Sequence, residues 1–229
     1  MTKKYVLHIE TSSPYCSVSL SENETHLETI EGKQINSHAS QLTNFIQSIC
    51  NNNSKKIQDL SALSFSSGPG SYTGLRIGLS VLKGISYLNE TPIVFVNTLD
   101  AIASAMIEEF KGEEYLFCPM IDARRKEVYV STYNCKNQRQ SEYSSIILDG
   151  EIDLKEIYRN KRLVLGGDGT KHTQNNVYYK EITHSTIVKL SSRFLISKAM
   201  LKITNNEYEN NLYCQPFYLK KPFLNIKKQ

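Results

Sequence analysis

Ser66-Ser67-Gly68-Pro69-Gly70-Ser71-Tyr72-Thr73-Gly74-Leu75-Arg76-Ile77-Gly78 lies between a short apolar run, Leu60 to Ser66, and a longer helical pattern that continues to Leu88. The run before it reads as a buried strand, the glycines and proline as a turn, and the segment from about Gly74 to Leu88 as a helix. Backbone amides at such a turn, next to a helix N-terminus, can hold a phosphate. The string has neither the Gly-Lys-Ser/Thr end of a P-loop nor the spacing of G-x-G-x-x-G, so a tight strand-to-helix connection is the expectation.

The helix behind the turn says more. Leu75, Ile77, Leu79, Val81, Leu82, Ile85 and Leu88 surround its axis too widely for the single apolar stripe of a surface helix. Two faces need covering. One is expected against the sheet of its own lobe; the other, notched by Gly74 and Gly78 one turn apart, would let a second helix approach closely. The helix starting at His38 is polar outside its Leu42, Phe45, Ile46 and Ile49 stripe and cannot supply the whole second cover, which predicts a protein partner.

Working outward, Tyr5 to Glu10, Cys16 to Leu20 and His26 to Ile30 are β-rich runs, the first two separated by the turn-forming Ser12-Ser13-Pro14. After Gly32 the helical spacing begins, with Asn36 or Ser37 as cap and Asn51-Asn52-Asn53 as stop. Ile93 to Val96 reads as a strand and Leu99 to Phe110 as a helix. The second half repeats this order more loosely. Tyr115 to Ile121, Glu127 to Tyr133 and Ser144 to Leu148 are expected strands, Glu151 to Tyr158 a short helix, Leu163 to Leu165 a strand leading into Gly166-Gly167-Asp168-Gly169, and Leu190 to Ile203 a helix before an extended tail. Two successive β-β-β-α-β-α units predict an α/β protein of paired lobes, residues 1–110 and 111–229, packed together directly because no Pro-rich or Ser-rich linker separates them.

The chain has 229 residues, with Lys+Arg 27 against Asp+Glu 23 for a net charge of +4, and is 40% hydrophobic and 22% charged. These fractions exclude a disordered or fibrous chain. Arg76, Lys83 and Asp100 interrupt the most apolar regions, so no membrane span is expected. His8 and Glu10 break the only N-terminal run that could serve as a signal peptide. The cysteines (Cys16, Cys50, Cys118, Cys135, Cys214) are odd in number and form no C-x-x-C, which fits reduced thiols and a cytoplasmic location. Most of the positive surplus comes from scattered lysines and the terminal cluster Lys220, Lys221, Lys227 and Lys228, which reads as a solvated basic tail in preference to an RNA-binding patch.

A catalytic constellation is missing. His8, His26, His38, His172 and His184 have no metal-binding spacing, His8 reading instead as a hydrogen-bonded structural histidine. No G-x-S-x-G elbow supports acyl transfer. Glu10, Asp122 and Asp168 lie at strand ends, where phosphate-transfer enzymes of duplicated α/β design hold metal, although single carboxylates are common there by chance.

The start Val6-Leu7-His8-Ile9-Glu10-Thr11-Ser12, the segment Gly68 to Gly78, the stretch Ile121-Asp122-Ala123-Arg124-Arg125-Lys126-Glu127-Val128-Tyr129 and the tail Gln215-Pro216-Phe217-Tyr218-Leu219-Lys220 together resemble the TsaB (YeaZ) family. The resemblance is strong over residues 5 to 130, thin from 131 to 210, and returns in the tail. It implies an actin-like ATPase fold of two ribonuclease-H-like lobes. The role it implies is in making N6-threonylcarbamoyladenosine beside the anticodon of tRNAs that read codons starting with A. In that system TsaB resembles a degenerate, non-catalytic copy of TsaD and pairs with it, and the ATPase TsaE joins them. The chain itself would then carry no catalytic, cofactor or metal site, with ATP and a metal ion on the partner subunits and tRNA contact indirect or weak. The H-x-x-x-H of TsaD falls here on Thr98 and Ile102, and neither side chain replaces an imidazole ligand.

The family's dimer surface is built from the first two helices. The resemblance therefore implies a contact surface drawn from His38, Gln41, Leu42 and Phe45 in the first, and Tyr72, Thr73, Gly74, Arg76, Ile77, Gly78 and Val81 in the second, some of which must face the core instead. Glu10 stands where an aspartate is common and Lys220 where an arginine is usual, so the planar fork of arginine is lost from the tail. Alternatives at this level are a metal-dependent peptidase or small ATPase acting on its own, tRNA binding through the lysine-rich tail, and a homodimer of the isolated chain.

Overall fold

Tyr5–Glu10 (β1) is the strand on which the first half is built, with Leu7 and Ile9 on one face and Val6, His8 and Glu10 on the other. In the computed structural model, the described residues are 3–33, 38–148, 152–153, 161–173, 177–178 and 182–220, with only the backbone described for 33, 38–39, 152–153 and 177–178. Tyr15–Glu22 (β2) and Thr25–Lys33 (β3) follow as antiparallel hairpins, then the helix His38–Asn52 (α1). Leu60–Ser66 (β4), Tyr72–Asn89 (α2), Ile93–Val96 (β5) and Thr98–Glu109 (α3) complete the half, with β4 parallel to both β1 and β5. The sheet order is β3-β2-β1-β4-β5.

The second half begins with Tyr115–Asp122 (β6), Glu127–Val130 (β7) and Ser144–Ile147 (β8), again antiparallel neighbours. Ile152–Asp153 (β9) pairs with Val177–Tyr178 (β11) in a small separate sheet. Arg162–Gly166 (β10) lies parallel to β6 on one side and to Ile182–His184 (β12) on the other. Ile196–Thr204 (α4) closes the series. Read from β8, the sheet runs β8-β7-β6-β10-β12. Strand for strand this is the first sheet's pattern, two antiparallel pairs followed by two parallel ones, so the duplication expected from element order is present in the topology.

The helices do not simply follow their own halves. Leu99, Ile102, Ala103 and Met106 of α3 pack on Phe117, Ile121 and Val164 of the second sheet. Ile196, Met200 and Ile203 of α4 pack on Val6, Ala62 and Val94 of the first. Each sheet thus has one face covered by a helix from across the junction, while α1 and α2 cover the other face of the first sheet through Leu42, Ile46, Ile49, Leu75, Leu79 and Leu82. The lobes share their cores, which explains why no linker was needed between them.

Several expected boundaries shift. The strand read as Glu127 to Tyr133 stops at Val130, and Tyr133 makes only isolated bridges to Phe117 and Arg139. The helix expected at Glu151 to Tyr158 is corrected at residues 152 and 153, which are strand; the remainder lies outside the described residues. The helix expected from Leu190 starts at Ile196, after a 3-10 turn over Ser192–Leu195 whose Ser192 amide donates to Ser17 Oγ at 3.0 Å, so the backbone there is held by the first sheet. Asn36 and Ser37 lie outside the described residues.

Because α4 covers the first sheet, Ile203→Ala is expected to cost about 2–5 kcal/mol of global stability in urea denaturation, as for a core residue; a cost within ~0.5 kcal/mol would place α4 outside the cooperative core.

Candidate functional site

The outer surface of α1 and α2 is the first candidate. Ser71 caps α2 by accepting a hydrogen bond from the Gly74 amide at 3.3 Å, and the Ser71 amide donates to the Ser12 carbonyl at 2.6 Å, which seats the helix start on the end of β1. The Thr11 hydroxyl donates to the Gly74 carbonyl at 2.9 Å. A Cβ on Gly74 would collide with the Thr11 carbonyl oxygen, and one on Gly78 with the Thr11 hydroxyl and the Phe65 ring. The glycine notches therefore serve the chain's own β1 and β4. This corrects the expectation that Gly74 and Gly78 open a face for a second helix: both are buried against their own sheet, and so is Leu42, at 0% exposure.

What α2 shows to solvent is another stripe. Thr73 and Arg76 are exposed, Ile77 and Val81 half-buried, and Ser80 and Gly84 lie open between them. Tyr87 and Leu88 end the stripe at 79% exposure each. Phe45 is half-buried over Gly32, and Gln41 is half-buried with its Oε1 unpartnered among the described residues. The side chain of His38 lies outside what is described.

The second cover that α2 needs is supplied largely by the chain's own C-terminal segment. The Glu209 amide donates to Ile93, Asn211 Nδ2 to Ser86 Oγ at 2.5 Å, and Lys83 Nζ to the Leu212 carbonyl at 3.0 Å. Cys214 is buried in the core of the first lobe, and the Phe217 amide donates to the Ser67 carbonyl at 2.7 Å. Tyr218 then packs against Tyr72 at a tilt of 42°, ring centroids 4.9 Å apart, and Arg76 lies 4.1 Å over the Tyr72 ring. Tyr72 thus faces the strap. The strap also reaches the second lobe through Phe217 against Tyr143 at 5.6 Å and an ion pair of Lys220 with Glu127. Sequence reading missed this role, although Cys214, Phe217 and Tyr218 are apolar residues that a purely solvated tail would not need.

Behind the strap lies the junction of the lobes, where the C-terminal ends of β1 and β6 meet the turn after β10. Glu10 is buried and accepts from the Ser12 amide and hydroxyl, both at 2.5 Å. Burial raises its pKa to about 7 despite those hydrogen bonds, with Asp168 adding to the rise. Asp168 is pushed up to about 6, chiefly by burial, while accepting from the Asp122 amide at 2.9 Å. For Asp122 burial acts upward but is outweighed by Lys171 at 2.5 Å, the Arg124 amide at 2.8 Å and His172 at 3.0 Å, which hold the carboxyl below its usual range. Among the described residues no group of three or more His, Cys, Asp and Glu is arranged to hold a metal. Thr98 and Ile102 are 1% exposed: the Thr98 hydroxyl bonds to Ser66 Oγ at 2.7 Å and accepts from the Gly68 amide at 3.2 Å, and Ile102 packs in the second lobe's core. His8 is the expected structural histidine, its Nε2 2.9 Å from Ser21 Oγ. The five cysteines are free. Among the described residues no helix is long and apolar enough to cross a membrane.

Comparison with known proteins places this geometry. The structure of YeaZ from Pseudomonas aeruginosa superposes with a TM-score of 0.81 at 21% identity, covering 94% of this chain and 100% of that one. An inorganic polyphosphate/ATP-glucomannokinase from Arthrobacter sp. strain KM aligns at TM-score 0.52 and 10% identity, over 89% of this chain and 99% of its own. The family model described as TsaD, tRNA N6-adenosine threonylcarbamoyltransferase, matches residues 27–151. The protein named tRNA threonylcarbamoyladenosine biosynthesis protein TsaB from Bacillus subtilis (strain 168) is 32% identical over 173 residues, 74% of this chain and 73% of its own length. Fold and junction define an actin-like ATPase-fold protein with a TsaD-type domain. Within that class the chain belongs to the TsaB (YeaZ) family of tRNA threonylcarbamoyladenosine biosynthesis proteins.

The raised pKa of Glu10 gives a signed prediction. Above pH about 7 the cost of the buried carboxylate is felt in full; as pH falls from about 7 toward the ordinary value of 4.5 the folded state holds the proton that the unfolded state has lost, and the cost shrinks progressively to nothing. Glu10→Gln, which keeps an acceptor for Ser12, is expected to be more stable than the parent in urea at pH 8.5, with the difference closing by pH 5. A pH-independent difference would show that Glu10 titrates near its ordinary value.

Proposed function

We propose that this chain is the non-catalytic partner subunit of TsaD in forming the threonylcarbamoyl group on N6 of adenosine next to the anticodon of tRNAs that read codons starting with A. The observation that carries the reading is the environment of Thr98 and Ile102. At the positions where the family resemblance puts two metal-binding imidazoles, the side chains are a hydroxyl committed to Ser66 and Gly68 and an alkyl group in the core. A hydroxyl is a poor neutral donor and an alkyl group none, so this chain has lost the ligand pair by which its catalytic relative would act.

The partner then docks on the outer surface of α1 and α2, through residues that are exposed or half-buried there: Thr73, Arg76 and Ile77, with Phe45 and Val81 packed partly on the chain's own core, extended by Tyr87 and Leu88. Large apolar side chains at this exposure, in a row with the small Ser80 and Gly84, suit a packed helix pair. TsaE joins the pair, and ATP and the metal ion belong to the partner subunits. The gain in activity comes from tighter binding to the competent state of TsaD than to its resting state.

Two measurements test this. TsaD and TsaE should modify tRNA at least 10-fold more slowly when this chain is omitted; equal rates would end the proposal. Ile77→Glu should lower affinity for TsaD by at least 10-fold, about 1.4 kcal/mol, while the melting temperature stays within a few degrees of the parent. Unchanged co-elution would move the interface elsewhere.

A further inference from the structure

A continuous relay of hydroxyl groups runs along the β2–β3 hairpin, from a carboxylate at one end to an imidazole at the other. Glu31 accepts from Ser17 Oγ at 3.1 Å. The Ser17 and Ser192 hydroxyls are 2.8 Å apart, those of Ser192 and Ser19 2.6 Å, and those of Ser19 and Thr29 2.7 Å; Thr29 Oγ1 lies 2.6 Å from His26 Nε2. Ser17, Ser19 and Ser192 are fully buried. Burial acts upward on the pKa of Glu31, but Lys189 at 2.6 Å and the Ser191 hydroxyl at 2.5 Å, together with Ser17, outweigh it and hold the carboxyl below its usual range, so Glu31 is an acceptor only.

The direction of every link follows, because each hydroxyl has a single proton to give. Ser17 gives its proton to Glu31, so Ser192 donates to Ser17, Ser19 to Ser192 and Thr29 to Ser19. Thr29 has only lone pairs left for the ring, and His26 Nε2 must be the donor. The neutral ring is thereby fixed as its Nε2–H tautomer, with the free lone pair on Nδ1.

His26 stands on the wall of a crevice of about 630 Å³ between the lobes, which is also lined by Glu24, by Glu108 and Glu109 of α3, and by Arg193 and Phe194 of the 3-10 turn before α4. Glu22 pairs with Tyr5, so this end of the hairpin lies at the opposite end of β1 from Glu10 and the junction carboxylates. The volume is that of a small-molecule site, for which about 300–1,000 Å³ is usual. Glu109 is committed to the Ser185 hydroxyl and the Thr186 amide. Among the described residues Glu24 and Glu108 make no hydrogen bond or ion pair, and Arg193 meets only the Phe194 ring, 5.3 Å from its centroid. Two open carboxylates and a ring nitrogen that can only accept suit a positively charged donor; the guanidinium suits an anionic group, and Phe194 gives apolar surface for a chain between the two.

We propose that this crevice binds a small linear zwitterion, a protonated amine joined through an apolar chain to a carboxylate, with the amine held by Glu24, Glu108 and Nδ1 of His26 and the carboxylate by Arg193. The site is independent of the partner and the pathway proposed above. Glu31, Ser17, Ser192, Ser19 and Thr29 act through His26 as positioning residues.

The probe is 6-aminohexanoate, titrated into the full chain at pH about 8.5, where an alkylamine keeps its proton. Amide NMR shifts of Glu108, Thr186 and Arg193 follow binding, with n-hexylamine and hexanoate as single-charge controls. The zwitterion should bind about 10-fold more tightly than either control, and E24Q/E108Q should weaken it by about the same factor, the loss of one charged hydrogen bond being worth that much. R193Q should bring 6-aminohexanoate level with hexylamine. Equal binding of the three probes, no binding of the zwitterion, or parent affinity in either variant would overturn the proposal. Nitrogen-15 NMR of the His26 ring reads the relay directly: the parent should carry its proton on Nε2 alone. Ser192→Ala and Thr29→Val, which each remove one link, should show a mixture of both tautomers and weaker binding of the zwitterion, whereas Ser192→Thr should restore the parent state. A proton on Nδ1 in the parent, or an unmixed Nε2–H ring in both broken-relay variants, would remove the acceptor role of His26 and with it the proposal.

Discussion

The seat of α2 on the end of β1 is the contact from which the rest of the first lobe follows. Gly74 and Gly78 lie against Thr11, and the hydroxyl of Thr11 returns a hydrogen bond to Gly74. Side chains at either glycine would lift the helix off the sheet, since close-packed cores have no slack for an added methyl against a backbone carbonyl. With the helix seated this way, Leu75, Leu79 and Leu82 must point into the sheet, and Thr73, Ile77, Ser80 and Gly84 must point out. The same seating brings Tyr72 and Arg76 to the side where Tyr218 lands, so the path of the C-terminal strap is set by the orientation of this helix.

That strap and the exchanged helices together make the junction a shared structure. α3 crosses to the second sheet, α4 to the first, and the strap runs from the first lobe's core at Cys214 to Glu127 in the second. A displacement of one lobe against the other would have to disturb all three. The strap links the exposed side of α2 to the second lobe: Tyr72 touches Tyr218, and two residues on Lys220 touches Glu127.

The carboxylates at the junction differ in charge state because their surroundings differ. Glu10 and Asp168 are buried with raised pKa values, whereas Asp122 is held ionised by Lys171 and His172. Burial favours the protonated acid, and a lysine at contact distance favours the carboxylate. The junction is accordingly a place of hydrogen-bonded acids and an ion pair within the chain itself.

Periodicity was enough to locate β1, β4 and β5 and to count the five strands of the first half, because a buried strand needs an unbroken or alternating apolar run whatever its neighbours are; the short β9, β11 and β12 of the second half had no such run and were not read. The resemblance of the Gly68 to Gly78 segment carried the family. Which side of α2 the glycines occupied was not legible, since a helical pattern with apolar residues all round has no unique inner face until the sheet beneath it is known. The crossing of α3 and α4 was equally hidden: an apolar helix face states that it must be covered and not by which sheet. Residue order by itself determined the duplicated α/β plan and showed that Thr98 and Ile102 are not imidazoles. Only tertiary structure decided that Gly74, Gly78 and Leu42 belong to the core and that the tail serves as a strap, because long-range contacts choose among the faces that local sequence leaves equivalent.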